Sequence, residues 1–271
     1  MSNEAHPDRD LAPASAWRLR ALTPARVGLA LTGVSLETRD LLAFQLSHSQ
    51  ARDAVHSRLE AASLASRLAE ISARQVLCLH SAAPDRATYL QRPDLGRALT
   101  ESSRALLASH RAGIEPHPQR LALIVADGLS ALAVERHAVP LIEAALPALH
   151  DWQIEPLSVV EQGRVAIGDE IGAVLGAEIS IVLIGERPGL SSPDSLGAYI
   201  TWAPRPGRTD GERNCISNIR REGLSYAQAA AQLGYYLTEA RDRQLTGFSL
   251  KEQADTLEEK STSSERGLSP G

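Results

Sequence analysis

The sequence predicts an α/β fold, in which a mostly parallel open sheet flanked by helices follows an N-terminal helical segment and both termini are flexible. Three observations predict it. Residues 35–73 contain neither Gly nor Pro and are rich in helix-forming residues. From residue 75 onward, short apolar runs alternate with amphipathic stretches, which is typical of βα units. Both ends of the chain are polar, which favours flexible arms.

These patterns divide the chain into four segments. Residues 1–21 read as a flexible arm, and 22–74 as the N-terminal helical segment. Residues 75–250 read as an α/β ligand-binding domain, and 251–271, rich in Glu, Ser and Thr, as a disordered tail. Ser35 is the expected N-cap of the helical segment, because serine side chains accept hydrogen bonds from free N–H groups at a helix start. One or two helices are expected between Ser35 and residue 73.

One face of this helical segment is polar. Gln45, His48, Arg52 and His56 follow one another at spacings of three or four residues, which places them on the same side of a helix. Such a face is either solvated or in contact with a partner protein. The pattern alone leaves both interpretations open.

The α/β part is expected to contain six strands and four longer helices. The strands follow from short runs rich in Val, Ile and Leu, at 76–80, 121–126, 157–160, 179–184, 198–202 and 215–219. The helices follow from the amphipathic stretches between and after them, at 96–111, 129–149 with a kink at Pro140, 165–175 and 225–244.

Composition excludes several classes of protein. The 271 residues carry 28 Lys+Arg against 33 Asp+Glu, a net charge of -5 without a dense basic cluster, which argues against nucleic-acid binding. No apolar stretch approaches the roughly 20 residues of a membrane helix, and the first residues lack the apolar core of a secretory signal. Cys78 and Cys215 are the only cysteines, so neither a disulfide framework nor a thiolate zinc site is indicated. These features favour a cytoplasmic protein.

Candidate ligand-binding residues follow the predicted strands, because ligands of open α/β sheets bind where the strands end. The junctions are Asp127-Gly128-Leu129-Ser130, in which Asp127 or Ser130 caps the next helix, and the segments 161–170, 185–195 and 205–215. Segment 185–195 combines Gly, Pro and Ser with Glu186 and Arg187. It is either a rigid turn with a surface ion pair between Glu186 and an arginine, or a loop that contacts a ligand.

No complete catalytic set is recognisable. The sequence contains no G-x-S-x-G, no G-x-x-x-x-G-K-[ST], no G-x-G-x-x-G after a strand and no H-E-x-x-H. No pair of histidines has the spacing of metal ligands, so no catalytic residue and no metal ligand is predicted. Cys215 follows Arg213 and Asn214, which allows a nucleophilic thiol, but the pattern favours a buried thiol that packs as a small apolar group.

The sequence resembles the small (light) subunit of ethanolamine ammonia-lyase over nearly the whole of 18–250. The motifs that carry the resemblance occur in order along the chain. They are Gln50-Ala51-Arg52-Asp53-Ala54-Val55-His56, Tyr89-Leu90-Gln91-Arg92-Pro93-Asp94-Leu95-Gly96-Arg97, Ala126-Asp127-Gly128-Leu129-Ser130-Ala131, Gly168-Asp169-Glu170-Ile171-Gly172, Gly185-Glu186-Arg187-Pro188-Gly189-Leu190 and Arg213-Asn214-Cys215-Ile216-Ser217-Asn218-Ile219.

The resemblance implies a carbon–nitrogen lyase that converts ethanolamine to acetaldehyde and ammonia. It implies a large partner subunit, a heterododecameric assembly, and adenosylcobalamin bound between the two kinds of subunit, with the substrate held mainly by the large one. The cofactor then supplies the radical chemistry. The family's location is the cytoplasm, including a bacterial microcompartment in hosts that build one.

The family's cobalamin contacts correspond to Val165, Glu186 and Cys215 of this sequence. Glu186 would accept hydrogen bonds from corrin amides, and Val165 and Cys215 would provide small contacts at close range. The sequence contains no D-x-H-x-x-G, the motif with which other corrinoid proteins replace the lower base by histidine. The resemblance therefore implies that the benzimidazole stays coordinated to cobalt.

Two other functions compete with this one. The chain could be an assembly subunit that keeps the large subunit soluble without touching the cofactor. Alternatively, it could be a stand-alone α/β enzyme that uses Cys215 and a nearby histidine.

Overall fold

The computed structural model describes residues 35–113, 119–154 and 156–250, together with 22, 23, 25–27, 29, 31 and 32. The flexible arm predicted at 1–21 and the disordered tail predicted at 251–271 lie outside the described residues. Within them, helices pack on both faces of a six-stranded, mostly parallel sheet. The predicted fold class is therefore confirmed.

The described strands are, in chain order, β1 (Leu31–Thr32), β2 (Ser35–Leu36), β3 (Val76–His80), β4 (Leu121–Ala126), β5 (Leu157–Glu161), β6 (Ile179–Gly185), β7 (Leu196–Trp202) and β8 (Arg213–Ile219). The described α-helices are α1 (Thr38–His56), α2 (Ala61–Ser72), α3 (Arg86–Gln91), α4 (Glu101–Ala112), α5 (Ala131–Ala145), α6 (Ile167–Leu175) and α7 (Tyr226–Arg243). Short 3-10 turns occur at Leu95–Arg97, Leu146–Leu149 and Asp210–Glu212. All six strands expected in the α/β part are present.

The main sheet has the order β3-β5-β4-β6-β7-β8. The first four of these strands are parallel, and β7 and β8 continue the sheet as antiparallel neighbours. Strands β4 and β5 are adjacent, but β4 leads into α5 on one face of the sheet and β5 leads into α6 on the other. Such a reversal opens a crevice at the carboxyl ends of the strands, which is where open α/β sheets bind their ligands.

Two hydrophobic cores cover the two faces of this sheet. Helices α2, α5 and α7 pack on one face, and α4 and α6 on the other. Every residue of β4 and of β6 is buried, as their unbroken apolar sequences require. The centre of the sheet is therefore a rigid support for the loops at its carboxyl edge. No helix among the described residues is long and apolar enough to cross a membrane.

The N-terminal segment forms two helices, but the predicted N-cap is wrong. Ser35 lies in β2, where it pairs with Thr32 of β1, and Glu37 occupies the N-cap position of α1 without a side-chain hydrogen bond. The short hairpin thus removes Ser35 from the helix start. Helix α1 ends at Ser57, whose hydroxyl donates to the carbonyl of Ala54 at 2.7 Å.

Helix α1 is exposed along most of its length. Ala54 is its only fully buried residue. The side chains of the predicted polar face, Gln45, His48, Arg52 and His56, are exposed. Contact of this face with a partner stays a prediction. The large apolar side chains Leu41, Leu42, Phe44 and Leu46 of the same helix are exposed as well.

Side-chain caps explain where the other helices begin. Helix α4 starts at Glu101 and not at residue 96, because Thr100 caps it by accepting from the Ser103 N–H. Helix α5 starts at Ala131, and Ser130 caps it by accepting from the Ala133 N–H at 3.2 Å. Of the two residues proposed for that cap, Ser130 is therefore the one. Helix α5 continues through Pro140 to Ala145.

Helix α3 was not expected from the sequence. It has only six residues, too few to show a clear helical period. Its signal is Asp85, which caps the helix by accepting from the Thr88 N–H at 2.8 Å. The helix matters because it carries Arg86 and Tyr89, which lie at the carboxyl edge of the sheet.

A buried ion pair fastens the antiparallel edge of the sheet to α6. Arg213 of β8 donates to both carboxylate oxygens of Asp169, with Nη1–Oδ1 and Nη2–Oδ2 distances of 2.6 and 2.7 Å. Both side chains are 2% exposed. Asp169 lies in the first turn of α6, where the free N–H groups also favour a negative charge.

We predict that Asp169→Asn lowers the free energy of unfolding by about 3–5 kcal/mol, because it leaves the buried guanidinium of Arg213 with only the exposed carboxylate of Asp210, at 3.7 Å, as a counter-charge. Urea denaturation measures this. The matched control is Glu101→Gln, which removes the partner of Arg104 at an 86% exposed position and should change stability little. Equal effects of the two variants would contradict the prediction.

Candidate functional site

A pocket of about 450 Å³ opens at the carboxyl edge of the parallel strands. Residues that directly follow β4, β5 and β6 form most of its wall, and α3 and β7 contribute one tyrosine each. The lining residues are Tyr89, Gly128, Leu129, Arg164, Val165, Ile184, Gly185, Glu186, Arg187 and Tyr199. The pocket therefore lies at the sheet edge where the sequence places a ligand.

Two glycines in contact form part of the pocket wall. Gly128 has φ +57°, and a Cβ on it would lie 2.3 Å from the carbonyl oxygen of Gly185. A Cβ on Gly185 would lie 2.1 Å from the carbonyl oxygen of Ser130. The Leu129 N–H donates to the Gly185 carbonyl at 2.9 Å. Larger residues at either position would force the loops after β4 and β6 apart.

Arg86 connects three segments beneath the pocket. Its Nη1 donates to the Gly128 carbonyl at 2.8 Å and lies 3.4 Å from Asp127 Oδ2 and from Gln162 Oε1. Its Nε donates to the carbonyl of Val55 near the end of α1 at 2.7 Å. Both Arg86 and Asp127 are buried. One guanidinium thus joins α1 to the loops after β4 and β5.

The ring of Tyr89 lies against two guanidinium groups. Arg86 Cζ is 4.8 Å and Arg164 Cζ 4.2 Å from the ring centroid, which are cation–π distances. The Tyr89 hydroxyl donates to the Gly163 carbonyl at 3.0 Å, and the Gly163 N–H donates to Asp127 Oδ1 at 3.0 Å. Sequence reasoning missed this cluster of Arg86, Tyr89, Asp127 and Arg164.

Burial raises the pKa of Asp127 from its ordinary value of 3.8 to about 6. Arg86 and the N–H groups of Gln162, Gly163 and Gly128 oppose this rise without cancelling it. At neutral pH the carboxylate is ionised and balances the charge of Arg86. Asp127 does not line the pocket, so its role is to hold the loops around it.

Glu186 lines the pocket and is half-buried. Its Oε2 accepts hydrogen bonds from the Ser195 hydroxyl and, at 3.2 Å, from the Asn218 N–H. Its Oε1 takes part in no hydrogen bond with the described residues. Glu186 therefore forms no surface ion pair with Arg187, and one carboxylate oxygen is available as an acceptor.

The segment 185–195 is anchored at its far end. Asp194 Oδ2 accepts from Arg136 Nη1 at 2.7 Å and lies 3.4 Å from His137 Nε2. The Ser130 hydroxyl donates to the carbonyl of Pro193 at 3.0 Å. This segment is thus a fixed turn without the expected ion pair, and it contributes Gly185, Glu186 and Arg187 to the pocket. Its contact with a ligand stays a prediction.

Val165 lines the same pocket, in the turn between β5 and α6, and packs against the core beneath that face of the sheet. It is half-buried, so part of its side chain faces the pocket. Of the three predicted contact residues, the structure brings Val165 and Glu186 together.

Cys215 lies outside this pocket. It is exposed on β8, paired with Tyr199 of β7, and its Sγ is 3.3 Å from Ser217 Oγ. The expectation of a buried thiol is therefore wrong. Arg213 and Asn214 are buried and bind Asp169 and Gly247, so they do not support a nucleophilic thiol.

In the described part of the chain, no three His, Cys, Asp or Glu side chains are grouped so that they could hold a metal ion. The pocket wall contains no histidine and no cysteine. Burial raises the pKa of both tyrosines in it, Tyr89 and Tyr199, so neither is suited to act as a base at neutral pH. The described wall thus offers hydrogen-bond donors, one carboxylate acceptor and apolar surface to a ligand.

We predict that the contribution of Asp127 to the free energy of unfolding decreases as the pH rises from about 4 to 6. The folded state holds the proton up to about pH 6, whereas the unfolded chain releases it near 3.8, so deprotonation opposes folding in that window. The fall amounts to about 3 kcal/mol for a shift of this size. The measurement is the difference in free energy of unfolding between wild type and Asp127→Asn, obtained by urea denaturation across pH 4–7.

Asp94→Asn is the matched control for this experiment. Asp94 is exposed and paired with Arg92, which lowers its pKa, so its contribution should not fall over the same window. A difference between wild type and Asp127→Asn that stays constant with pH would contradict the assignment of a raised pKa to Asp127.

The chain is similar to known proteins over most of its length. The family described as "Ethanolamine ammonia-lyase light chain (EutC)" matches residues 14–251. A relative from Xanthomonas campestris pv. campestris (strain B100), named ethanolamine ammonia-lyase small subunit, is 56% identical over 262 residues, 94% of this chain and 92% of its own length.

Two relatives from pseudomonads carry the same name. The one from Pseudomonas paraeruginosa (strain PA7) is 55% identical over 254 residues, 92% of each chain. The one from Pseudomonas putida (strain KT2440) is 53% identical over 260 residues, 94% of this chain and 95% of its own length. Because the family match and these relatives span almost the whole sequence, this chain belongs to the ethanolamine ammonia-lyase light-chain family.

Proposed function

We propose that this chain is the small subunit of an adenosylcobalamin-dependent ethanolamine ammonia-lyase. In complex with the large subunit it converts ethanolamine to acetaldehyde and ammonia by radical chemistry, and it holds one side of the cobalamin. The observation that carries the proposal is the pocket at the carboxyl edge of the sheet, in which Val165 and Glu186 meet. The name light chain implies a larger partner.

The pocket residues fit a corrinoid. A corrin ring is apolar on its faces and carries amides around its edge, so it needs apolar contacts together with both acceptors and donors. The apolar contacts come from Val165, Leu129 and Ile184. The acceptor is Glu186 and the donor is Arg164. Gly128 and Gly185 allow the loops after β4 and β6 to lie against each other in this wall.

The size of the pocket supports a shared cofactor. A cobalamin is much larger than about 450 Å³, so only one edge of it fits against this chain. A ligand that extends past Tyr199 reaches Cys215, which is paired with Tyr199 on the next strand. Cys215 is therefore kept as a contact at the rim, where its exposed thiol packs against the cofactor.

Bound adenosylcobalamin supplies the radical chemistry through homolysis of its cobalt–carbon bond. The residues of this chain bind and orient. Glu186 accepts from amides through Oε1, while Ser195 and the Asn218 N–H hold Oε2. Val165 and Leu129 exclude water from the contact.

The remaining parts of the proposal concern the partner. The large subunit holds most of the ethanolamine contacts, since Glu186 is the only carboxylate in the described pocket wall. The two kinds of subunit form a heterododecamer in the cytoplasm. In hosts that build a microcompartment, the complex resides inside it.

A second candidate is an assembly subunit without cofactor contact. It is favoured by α1, on which Leu42 and Leu46 are 59% and 61% exposed and lie one turn apart. Such a helix suits burial against another protein. The experiment on Glu186 below separates this role from cofactor binding.

We predict that the chain produces acetaldehyde from ethanolamine only in complex with the large subunit and with adenosylcobalamin present. The pocket wall offers no acid–base or nucleophilic set of its own, so the isolated chain should be inactive. Co-purified and separate subunits are assayed for acetaldehyde with and without cofactor. Activity of the isolated chain, or of the complex without cobalamin, would refute the proposal.

We also predict that Glu186→Ala weakens adenosylcobalamin binding to the complex by about tenfold to a hundredfold, the range expected for hydrogen bonds to a charged group. Ser195→Ala should weaken it less, because Ser195 does not line the pocket and acts by orienting Glu186. Cofactor titration followed by absorbance measures both affinities, and size-exclusion chromatography verifies assembly.

Glu222→Ala is the control, since Glu222 is exposed and lies outside this pocket. It should leave cofactor affinity unchanged. If Glu186→Ala also binds the cofactor with unchanged affinity while the complex assembles, the assembly role is favoured over cofactor contact.

A further inference from the structure

We propose that Arg164 binds an anionic oxygen of the cofactor, namely the phosphodiester of its nucleotide loop. The inference rests on the proposed function and adds a binding residue to it. It starts from the position of Arg164 in the pocket wall, where the side chain is half-buried and reachable by a ligand.

The backbone of Arg164 is fixed from two sides. Its N–H donates to the Gly96 carbonyl at 2.7 Å. The preceding residue, Gly163, donates to Asp127 and accepts from the hydroxyl of Tyr89. The loop after β5 is therefore held in one position before a ligand arrives.

The guanidinium is fixed as well. Its Cζ lies 4.2 Å from the centroid of the Tyr89 ring, and Nη2 donates to the Tyr89 carbonyl at 3.2 Å. Neither Nε nor Nη1 donates to any described residue; Nε is buried, whereas Nη1 is not. Nη1 is therefore the donor that an acceptor of a ligand can reach.

The charges around Tyr89 leave Arg164 without compensation. Asp127, in an ion pair with Arg86 at 3.4 Å, offsets the charge of that arginine. No Asp or Glu oxygen of the described residues lies within 4.0 Å of the Arg164 guanidinium. The pocket wall also carries Arg187 and the carboxylate of Glu186, so it holds two positive charges and one negative charge. The net positive charge favours an anionic group over a neutral amide. The phosphodiester is the anionic group of a cobalamin at neutral pH.

Arg187 is the other arginine of the pocket wall, but it is exposed. None of the described hydrogen bonds or ring contacts orders its side chain. Binding through Arg187 would require immobilising a long flexible side chain, whereas Arg164 is already ordered. The ordered arginine is therefore the better phosphate ligand.

The test measures binding to the complex with the large subunit. Adenosylcobalamin is compared with adenosylcobinamide, which lacks the phosphodiester and the nucleotide. Arg164→Met keeps an unbranched apolar stem against Tyr89 and removes the donors. We expect it to lower cobalamin affinity by about tenfold to a hundredfold and cobinamide affinity by less than about threefold. Arg205→Met, exposed and outside the pocket, is the control and should change neither affinity.

Three outcomes would overturn the inference. They are an unchanged cobalamin affinity of Arg164→Met, an equal loss for both corrinoids, and a wild-type affinity for cobalamin that does not decrease with salt. The first and second are checked on folded protein by circular dichroism. If Arg164→Met does not fold, Arg164→Lys takes its place, and a loss confined to cobalamin is again expected because lysine lacks the planar guanidinium that Tyr89 holds in position. A wild-type complex that binds neither corrinoid would refute the proposed function itself.

Discussion

The carboxyl edge of this sheet depends on one buried guanidinium. Arg86 binds carbonyl oxygens of Val55 and Gly128 and lies beside Asp127 and Gln162. These groups belong to α1 and to the loops after β4 and β5. A buried arginine can hold three segments because its donors point in several directions at once, which no apolar side chain can do.

The same arginine constrains the charge of the pocket. Burying its cation requires an anion, and Asp127 provides one, although burial raises the pKa of that carboxylate to about 6. Tyr89 then separates Arg86 from Arg164, so the two cations share an aromatic ring and only one of them is neutralised. Because Asp127 pairs with Arg86 beneath the pocket, the guanidinium of Arg164 stays at the pocket wall without a carboxylate partner among the described residues.

Sequence patterns were sufficient for the sheet but only partly for the site. The apolar runs at β4 and β6 are unmistakable because both strands are buried on both faces. Glu186 could be found because it directly follows a strand. The pairing of Arg86 with Asp127 could not, because 41 residues separate them and α3 is too short to show a period. Ser35 was misread because a two-residue hairpin has no sequence signal that competes with a capping serine.

The absence of acid–base machinery in this pocket follows from how its polar groups are used. Ser195 and the Asn218 N–H occupy one oxygen of Glu186, and burial keeps Tyr89 and Tyr199 protonated. What remains open to a ligand is one carboxylate oxygen, the donors of Arg164, and apolar surface around glycine backbone. Under the function proposed above, this wall binds the amide-rich edge of the cofactor. The chemistry is then supplied by the bound cofactor and by the partner subunit that closes its other side.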